Sequence, residues 1–297
     1  WRCGYYSWCS DSWWTILSLG ELAHGRLTVR IDSLWIYPIK GCRGQALDAV
    51  DITTEGFEGD RQFVLTDCGV PQSQKSLPAL KHLTATWQAG QLTLSFKGGA
   101  AFRVPFEAAR QKQPMPLVGR TVEVIDLGEP VALWLTEQFG KPLRLVKAAA
   151  GEALTIPLPV FARLEGTVQS KTVDVAPLLL ANQASLDDLN QRLDTPVPMD
   201  RFRANIVVSG LKPYAEDALQ ALRLGEGSFD AVTACERCAV TTFDQSPDSP
   251  SGASSKEPLR TLSGYRRREN GYAGGVMFGT YIMPRKDGRI HVGDHDE

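Results

Sequence analysis

No stretch of this 297-residue chain stays apolar for the roughly 18 residues that a membrane-crossing helix needs. Charge of one sign is also missing. Its 32 Lys and Arg stand against 34 Asp and Glu, a net charge of −2, so nucleic acid is not an expected partner. Histidine is scarce: His24, His82, His291 and His295 are all there is, and none shows paired spacing with the Cys235–Cys238 pair. A zinc site, which needs about four ligands, is therefore poorly supplied. The six cysteines are too scattered for a disulfide framework, and only Cys235 and Cys238 lie close together. That pattern points to a reducing, cytoplasmic setting and to metal binding or catalysis at the pair. No internal repeat or long low-complexity tract is visible.

What remains is mostly strand text. Residues 1–26 form an atypical extension, with Trp1, Trp8, Trp13 and Trp14 crowded into it and no initiator Met. They are expected to be a processed or trimmed segment, with a short export or membrane-surface segment as the alternative. Residues 27–147 read as a β-rich, barrel-like domain of short β-branched or alternating runs. These are Leu27–Ile36, Ala49–Thr54, Arg61–Thr66, Leu80–Trp87, Gln91–Phe96, Ala101–Val104 and Thr121–Ile125. One helix interrupts them at Glu129–Phe139, with Val131, Leu133, Trp134, Leu135 and Phe139 as its apolar side and Gly140 as its stop. Residues 148–297 form the second domain. It opens with a crossover region at Ala148–Leu158 and includes a helix after the N-cap candidate Asn182. Strands follow at Ala204–Ser209, Leu222–Leu224, Phe229–Ala234, Ala239–Phe243, Gly275–Pro284 and Arg289–Val292. Asp244–Lys256 reads as a surface loop without packing content. The expected fold class is mostly β with a few helices (α+β).

Three clusters carry chemistry. Cys235-Glu-Arg-Cys238 can hold a zinc, cycle as a redox pair, or lend one thiolate to a larger cofactor. Zinc lacks partner ligands, and a redox pair should open a helix, whereas Ala-Val-Thr-Thr-Phe reads as a strand. A thiolate given to a cofactor-borne metal gains by elimination, against the alternative of two buried bystander cysteines. Tyr37-Pro-Ile-Lys40-Gly-Cys-Arg43-Gly44 joins fixed positive charge to glycines, as an anion site requires, although an exposed basic turn would read the same way. Arg61 and Arg203, each beside a strand, could hold a planar anion bidentately or form rim ion pairs.

Seven blocks occur in a familiar order. They are Tyr37–Gly44, Gly59–Arg61, Leu180–Leu186, Phe202–Gly210, Cys235–Thr242, Lys256–Leu262 and Phe278-Gly279. In these the chain resembles MOSC-domain proteins with a β-barrel N-terminal domain, the family of the mitochondrial amidoxime-reducing component and the bacterial YcbX-type proteins. The resemblance implies a β-barrel MOSC N-terminal domain followed by a β-barrel MOSC domain, and a molybdenum cofactor (Mo-molybdopterin). It implies Cys238 as the metal-ligating thiolate, with Cys235 a neighbour of unassigned role. Lys40, Arg61, Arg203 and Asn205 would hold the pterin and its phosphate, Asp174 would lie at the molybdenum pocket, and Arg237 would flank the ligand. The implied activity is reduction of small N-hydroxylated compounds: hydroxylamines, amidoximes or N-hydroxylated bases. YcbX-type members often carry a [2Fe–2S] domain; this chain has no such cysteine cluster, so electrons are expected from a separate flavin, iron–sulfur or cytochrome protein. A sulfur-carrying, cofactor-sulfurating or cofactor-carrier protein is the alternative. Gly41 in place of a frequent serine, Ala204 in place of a proline, Val175-Ala176 in place of hydroxyl residues, and Gln74-Lys75 in place of Ala-Arg depart from the family pattern.

Overall fold

In the strand Arg30–Ile36, Ile31, Leu34 and Ile36 face the core, three and then two residues apart. A bulge between Ile31 and Ser33 absorbs the odd step, so both ends of the strand still point inward. The computed structural model describes residues 28–296 apart from 107–110, 150–153, 158–161, 165–166, 250–251, 253–254 and 269–274. The N-terminal extension and part of the crossover region, 150–153 and 158, lie outside the described residues.

Arg30–Ile36 belongs to a seven-stranded sheet in the order Ala221–Leu224, Gly227–Glu236, Met277–Pro284, Leu178–Asn182, Ile206–Ser209, Arg30–Ile36, Gln45–Leu47. Its neighbours pair antiparallel except Leu178–Asn182 with Ile206–Ser209. That parallel pair needs a crossover, which the helix Gln183–Asn190 provides. Asn182 caps the helix, its side-chain oxygen accepting from the Ala184 N–H at 3.1 Å. The sheet thus takes strands from both sides of residue 147, as does the small sheet in which Gly288–His291 pairs with Ala49–Thr53.

A five-stranded sheet runs Lys112–Leu117, Arg120–Asp126, Arg144–Ala148, Phe63–Asp67, Val70–Pro71. Lys112–Leu117 has no sequence signal because Pro114 and Pro116 interrupt it. It is an edge strand, where a missing N–H is tolerated. The fold is thus mostly strand, with three α-helices among the described residues.

Three expectations change. In the helix Glu129–Phe139 the buried residues are Val131, Ala132 and Leu135, while Leu133 is 63% exposed, so the apolar side is narrower than its hydrophobic residues suggest. Ala239–Phe243 is not a strand: Ala239–Thr242 forms a 3₁₀ turn with Cys238 as its N-cap. Its β-branched residues favour a strand, but its N–H groups bond locally, Thr241 to the Cys238 carbonyl and Phe243 to the Val240 carbonyl, each at 3.0 Å. Nor is the loop after Phe243 without packing. The buried Lys81 ammonium donates to the carbonyls of Asp244 at 3.2 Å, Ser246 at 3.1 Å and Ser249 at 2.5 Å, and Gln245 is itself buried.

Candidate functional site

Lys40, Arg61, Asp174, Arg203, Asn205, Arg237 and Cys238 all line one cleft of about 310 Å³. The strand ends of the main sheet bring them together. Lys40 follows Arg30–Ile36, Asp174 precedes Leu178–Asn182, Arg203 and Asn205 precede Ile206–Ser209, and Arg237 and Cys238 leave Gly227–Glu236. Arg61 comes from the segment entering Phe63–Asp67 of the other sheet, so the cleft lies where the two sheets meet.

The basic residues are held from within the protein. Arg61 donates from Nη1 to Asp60 Oδ2 at 2.5 Å and to Asn205 Oδ1 at 2.7 Å, and from Nη2 to the Arg203 carbonyl at 3.2 Å. Burial works against its charge, but the Asp60 carboxylate outweighs this and its pKa stays above the ordinary value. Arg203 donates to the Cys42 carbonyl at 2.6 Å. Both arginines sit at positive φ, 43° and 56°, a backbone region that non-glycine residues rarely adopt. Their guanidinium carbons lie 4.6 and 4.2 Å from the centre of the buried Tyr37 ring. That ring is a platform for two cations.

Lys40 completes the basic wall, its ammonium 2.5 Å from Asp174 Oδ1 and 2.9 Å from the Thr172 carbonyl. Burial lowers its pKa and the Asp174 charge opposes that shift. The two glycines of this segment serve different ends. Gly41 has φ +86°, which favours glycine, while a Cβ on Gly44 would meet the Tyr37 ring at 2.7 Å. Gly44 therefore makes room for Tyr37, and among the cleft-lining residues only Lys40 and Gly41 come from this cluster.

The two thiols are unlike. Cys235 is 1% exposed and its Sγ accepts from Arg237 Nη1 at 2.8 Å, whereas Cys238 is exposed. Arg237 also donates to the Phe202 carbonyl at 2.8 Å and from Nε to Thr241 Oγ1 at 3.4 Å. It braces the turn that presents Cys238. Asn205 is similarly occupied: Oδ1 also accepts from the Leu179 N–H at 3.1 Å, and Nδ2 donates to the Trp35 carbonyl at 3.1 Å. Among the described residues no three His, Cys, Asp or Glu side chains come close enough to hold a metal by themselves.

A family model described as the MOSC domain matches residues 168–295, and one described as the MOSC N-terminal beta barrel domain matches residues 28–142. The human protein "Mitochondrial amidoxime-reducing component 1" is 32% identical over 276 residues, 89% of this chain and 81% of that protein. The chain belongs to the MOSC-domain family. This MOSC protein is also 30% identical over 272 residues to a rice "Molybdenum cofactor sulfurase", covering 86% of this chain and 32% of that protein. Among solved structures, the YuaD protein from Bacillus subtilis aligns over 91% of this chain and 94% of its own, with a TM-score of 0.42 and 10% identity. The matches to the family models and to the amidoxime-reducing and sulfurase relatives make its function molybdenum-cofactor-related, and the amidoxime-reducing relatives make it that of an oxidoreductase.

Residues outside the seven candidates also build this MOSC cleft. Tyr37 and Asp60 were quoted in the motifs but given no part, Gln74 is locked into a reciprocal amide pair with Gln245, and Tyr281 comes from Met277–Pro284 with no local signal. The Tyr37 hydroxyl donates to the Ala204 carbonyl at 3.2 Å, and burial raises its pKa from 10.0 to about 12 against the two arginines. The folded protein therefore keeps this proton where the unfolded chain has lost it. The stabilisation is whole below pH 10 and is lost as pH rises through 12. Tyr37→Phe is expected to lose about 1 kcal/mol at pH 8 with the hydroxyl's bond, and to flatten the fall in stability between pH 10 and 12. Urea unfolding across that range checks both, and an unchanged alkaline slope would contradict the assignment.

Proposed function

We propose that this protein is a molybdenum-cofactor-dependent oxidoreductase that reduces small N-hydroxylated compounds with electrons from a separate donor protein. The observation that carries the proposal is one exposed thiol, Cys238, in a cleft whose other wall is Lys40, Arg61 and Arg203. A soft thiolate suits molybdenum, and a cluster of fixed cations suits the phosphate of a pterin. The residues fit the group: the cleft offers a single exposed thiol beside Lys40, Arg61 and Arg203, which suits a metal that brings its other ligands on an anionic carrier.

In this reading Cys238 is the protein's ligand, and Lys40, Arg61 and Arg203 hold the phosphate and pterin. Asn205 and Arg237, whose polar atoms are engaged within the protein, act by positioning Arg61 and the Cys238 turn. When bound, the cofactor supplies two-electron oxygen-removal chemistry. The balance is an N-hydroxy group plus two electrons and two protons giving N–H and water. Asp174, half exposed and 2.5 Å from the Lys40 ammonium, holds or relays a proton at its carboxylate. No helix of the described residues is long and apolar enough to cross a membrane. The exposed Cys238 could instead carry a persulfide, the reading favoured by the sulfurase relationship.

Molybdenum and oxidised-pterin analysis, with benzamidoxime reduction driven by a chemical reductant, tests this. Stoichiometric metal with benzamidine formation is expected. Metal without turnover would overturn the reductase reading, and sulfur transfer would establish the other.

A further inference from the structure

A second hollow of about 580 Å³ adjoins the cleft and shares Lys40, Ser73 and Asp174 with it. Two hairpins contribute to its lining, one with Val70 and Pro71 and the other with Pro116–Thr121. One turns through Cys68 and Gly69 between Asp67 and Val70, the other through Val118 and Gly119 between Leu117 and Arg120. All four turn residues have positive φ, between 46° and 79°, as type I′ turns require. The first central position of such a turn favours Asn, Asp or Gly, and a β-branched residue there is strained. Val118 occupies it at φ 46° and is 63% exposed. Neither turn chemistry nor core packing explains a valine at this place. Across the hollow Val70 is 57% exposed, so the rim is apolar on both sides.

At the inner end stands Arg120. Its Nη2 donates to the Val173 carbonyl at 2.5 Å, and its Nε–H is buried without an acceptor. Burial lowers its pKa and the Asp174 charge opposes the shift. A buried donor without a partner is normally avoided, and a ligand oxygen or nitrogen beside Asp174 would satisfy it.

We propose that this hollow receives the non-reacting body of the N-hydroxylated substrate, and that Val118 makes the protein select an aryl or alkyl body. The inference rests on the reductase reading. The N-hydroxy head lies at the shared Lys40–Asp174 end, with Arg120 donating to it, and the body lies between Val118 and Val70. A bodiless substrate such as hydroxylamine makes no use of the rim, and a sugar phosphate gains nothing from apolar walls.

Val118→Asp tests it, because aspartate suits the type I′ turn and the variant should fold at least as well as the parent. The ratio of kcat/KM for benzamidoxime to that for hydroxylamine is expected to fall on the order of ten-fold, carried by KM. An unchanged ratio would overturn the subsite. Calorimetric binding of benzamidoxime to purified protein separates the two proposals. If no N-hydroxylated compound is turned over, the reductase reading falls. Weaker benzamidoxime binding by Val118→Asp would still support the subsite, and equal binding by parent and variant, or none by the parent, would sink it.

Discussion

Cys238→Ser is expected to abolish molybdenum retention and reductase activity while leaving the fold intact. Cys238 is exposed at the N-cap of a four-residue turn, and exchanging sulfur for oxygen there removes no core contact. Stability should change by less than about 0.5 kcal/mol, the usual range for surface substitutions. A serine hydroxyl is a harder and far less acidic ligand than a thiol, so the metal loses its only protein sulfur. Activity should drop by more than the roughly 10- to 100-fold typical of substitutions outside the ligand shell. Cys235→Ser is the control. Its sulfur lies 2.8 Å from Arg237 Nη1 and a hydroxyl can accept the same bond, so metal should stay and activity should fall by less than about ten-fold. Metal content by elemental analysis and turnover by benzamidoxime reduction read both variants. Full activity in Cys238→Ser would remove the ligand assignment.

Asn205→Ala is expected to lose both stability and cofactor. The side chain is fully buried and joins three elements: Arg61 through Nη1, the Leu179 N–H and the Trp35 carbonyl. Truncation strands a buried N–H and a buried carbonyl, each worth about 1–3 kcal/mol when unsatisfied. A loss near 3 kcal/mol should lower Tm by roughly 6–12 °C in a chain of this size. Arg61 also loses one of its three tethers and keeps only Asp60 and the Arg203 carbonyl, so its geometry towards an anion is less firmly set. Pterin retention should weaken on the order of 10- to 100-fold. Asn205→Asp keeps an acceptor for Arg61 and the Leu179 N–H but sets a charged oxygen against the Trp35 carbonyl, so it should hold Arg61 better than the alanine variant while still losing stability. Urea unfolding and pterin content measure this. A stability change under about 1 kcal/mol in Asn205→Ala would show that water can replace the amide.

The strands and the cleft were unequally legible. Alternating runs such as Gln91–Phe96 and the capped segment after Asn182 carry their structure in side-chain periodicity, and both appear where the residues place them. The motif residues could be gathered as a set because charge, thiol and glycine are visible in one dimension. Their duties could not. Whether Asn205 and Arg237 face a ligand or brace the protein depends on partners as distant as Trp35 and Phe202. Ala239–Thr242 is too short for a helical period to show, and its Val-Thr-Thr composition argues for a strand. The clamp on Lys81 leaves no trace at all, because its acceptors are mainly backbone carbonyls, which every residue carries.

The interleaving of the two halves in one sheet bears on how the protein is made. Arg30–Ile36 finds its neighbour at Ile206–Ser209, and Ala49–Thr53 finds one at Gly288–His291. During synthesis Lys40 and Arg61 leave the ribosome long before Cys238 exists, and the strands around them have only their local pairings, Arg30–Ile36 with Gln45–Leu47 and Ala49–Thr53 with Gly56–Phe57, until the distant partners emerge. Such distant pairings fold slowly, because the chain must close large loops before any contact rewards it. In the proposed function, cofactor capture is therefore a late event in the life of this chain, and a polypeptide stalled before residue 288 would present cations and a thiol without the full frame that holds them together.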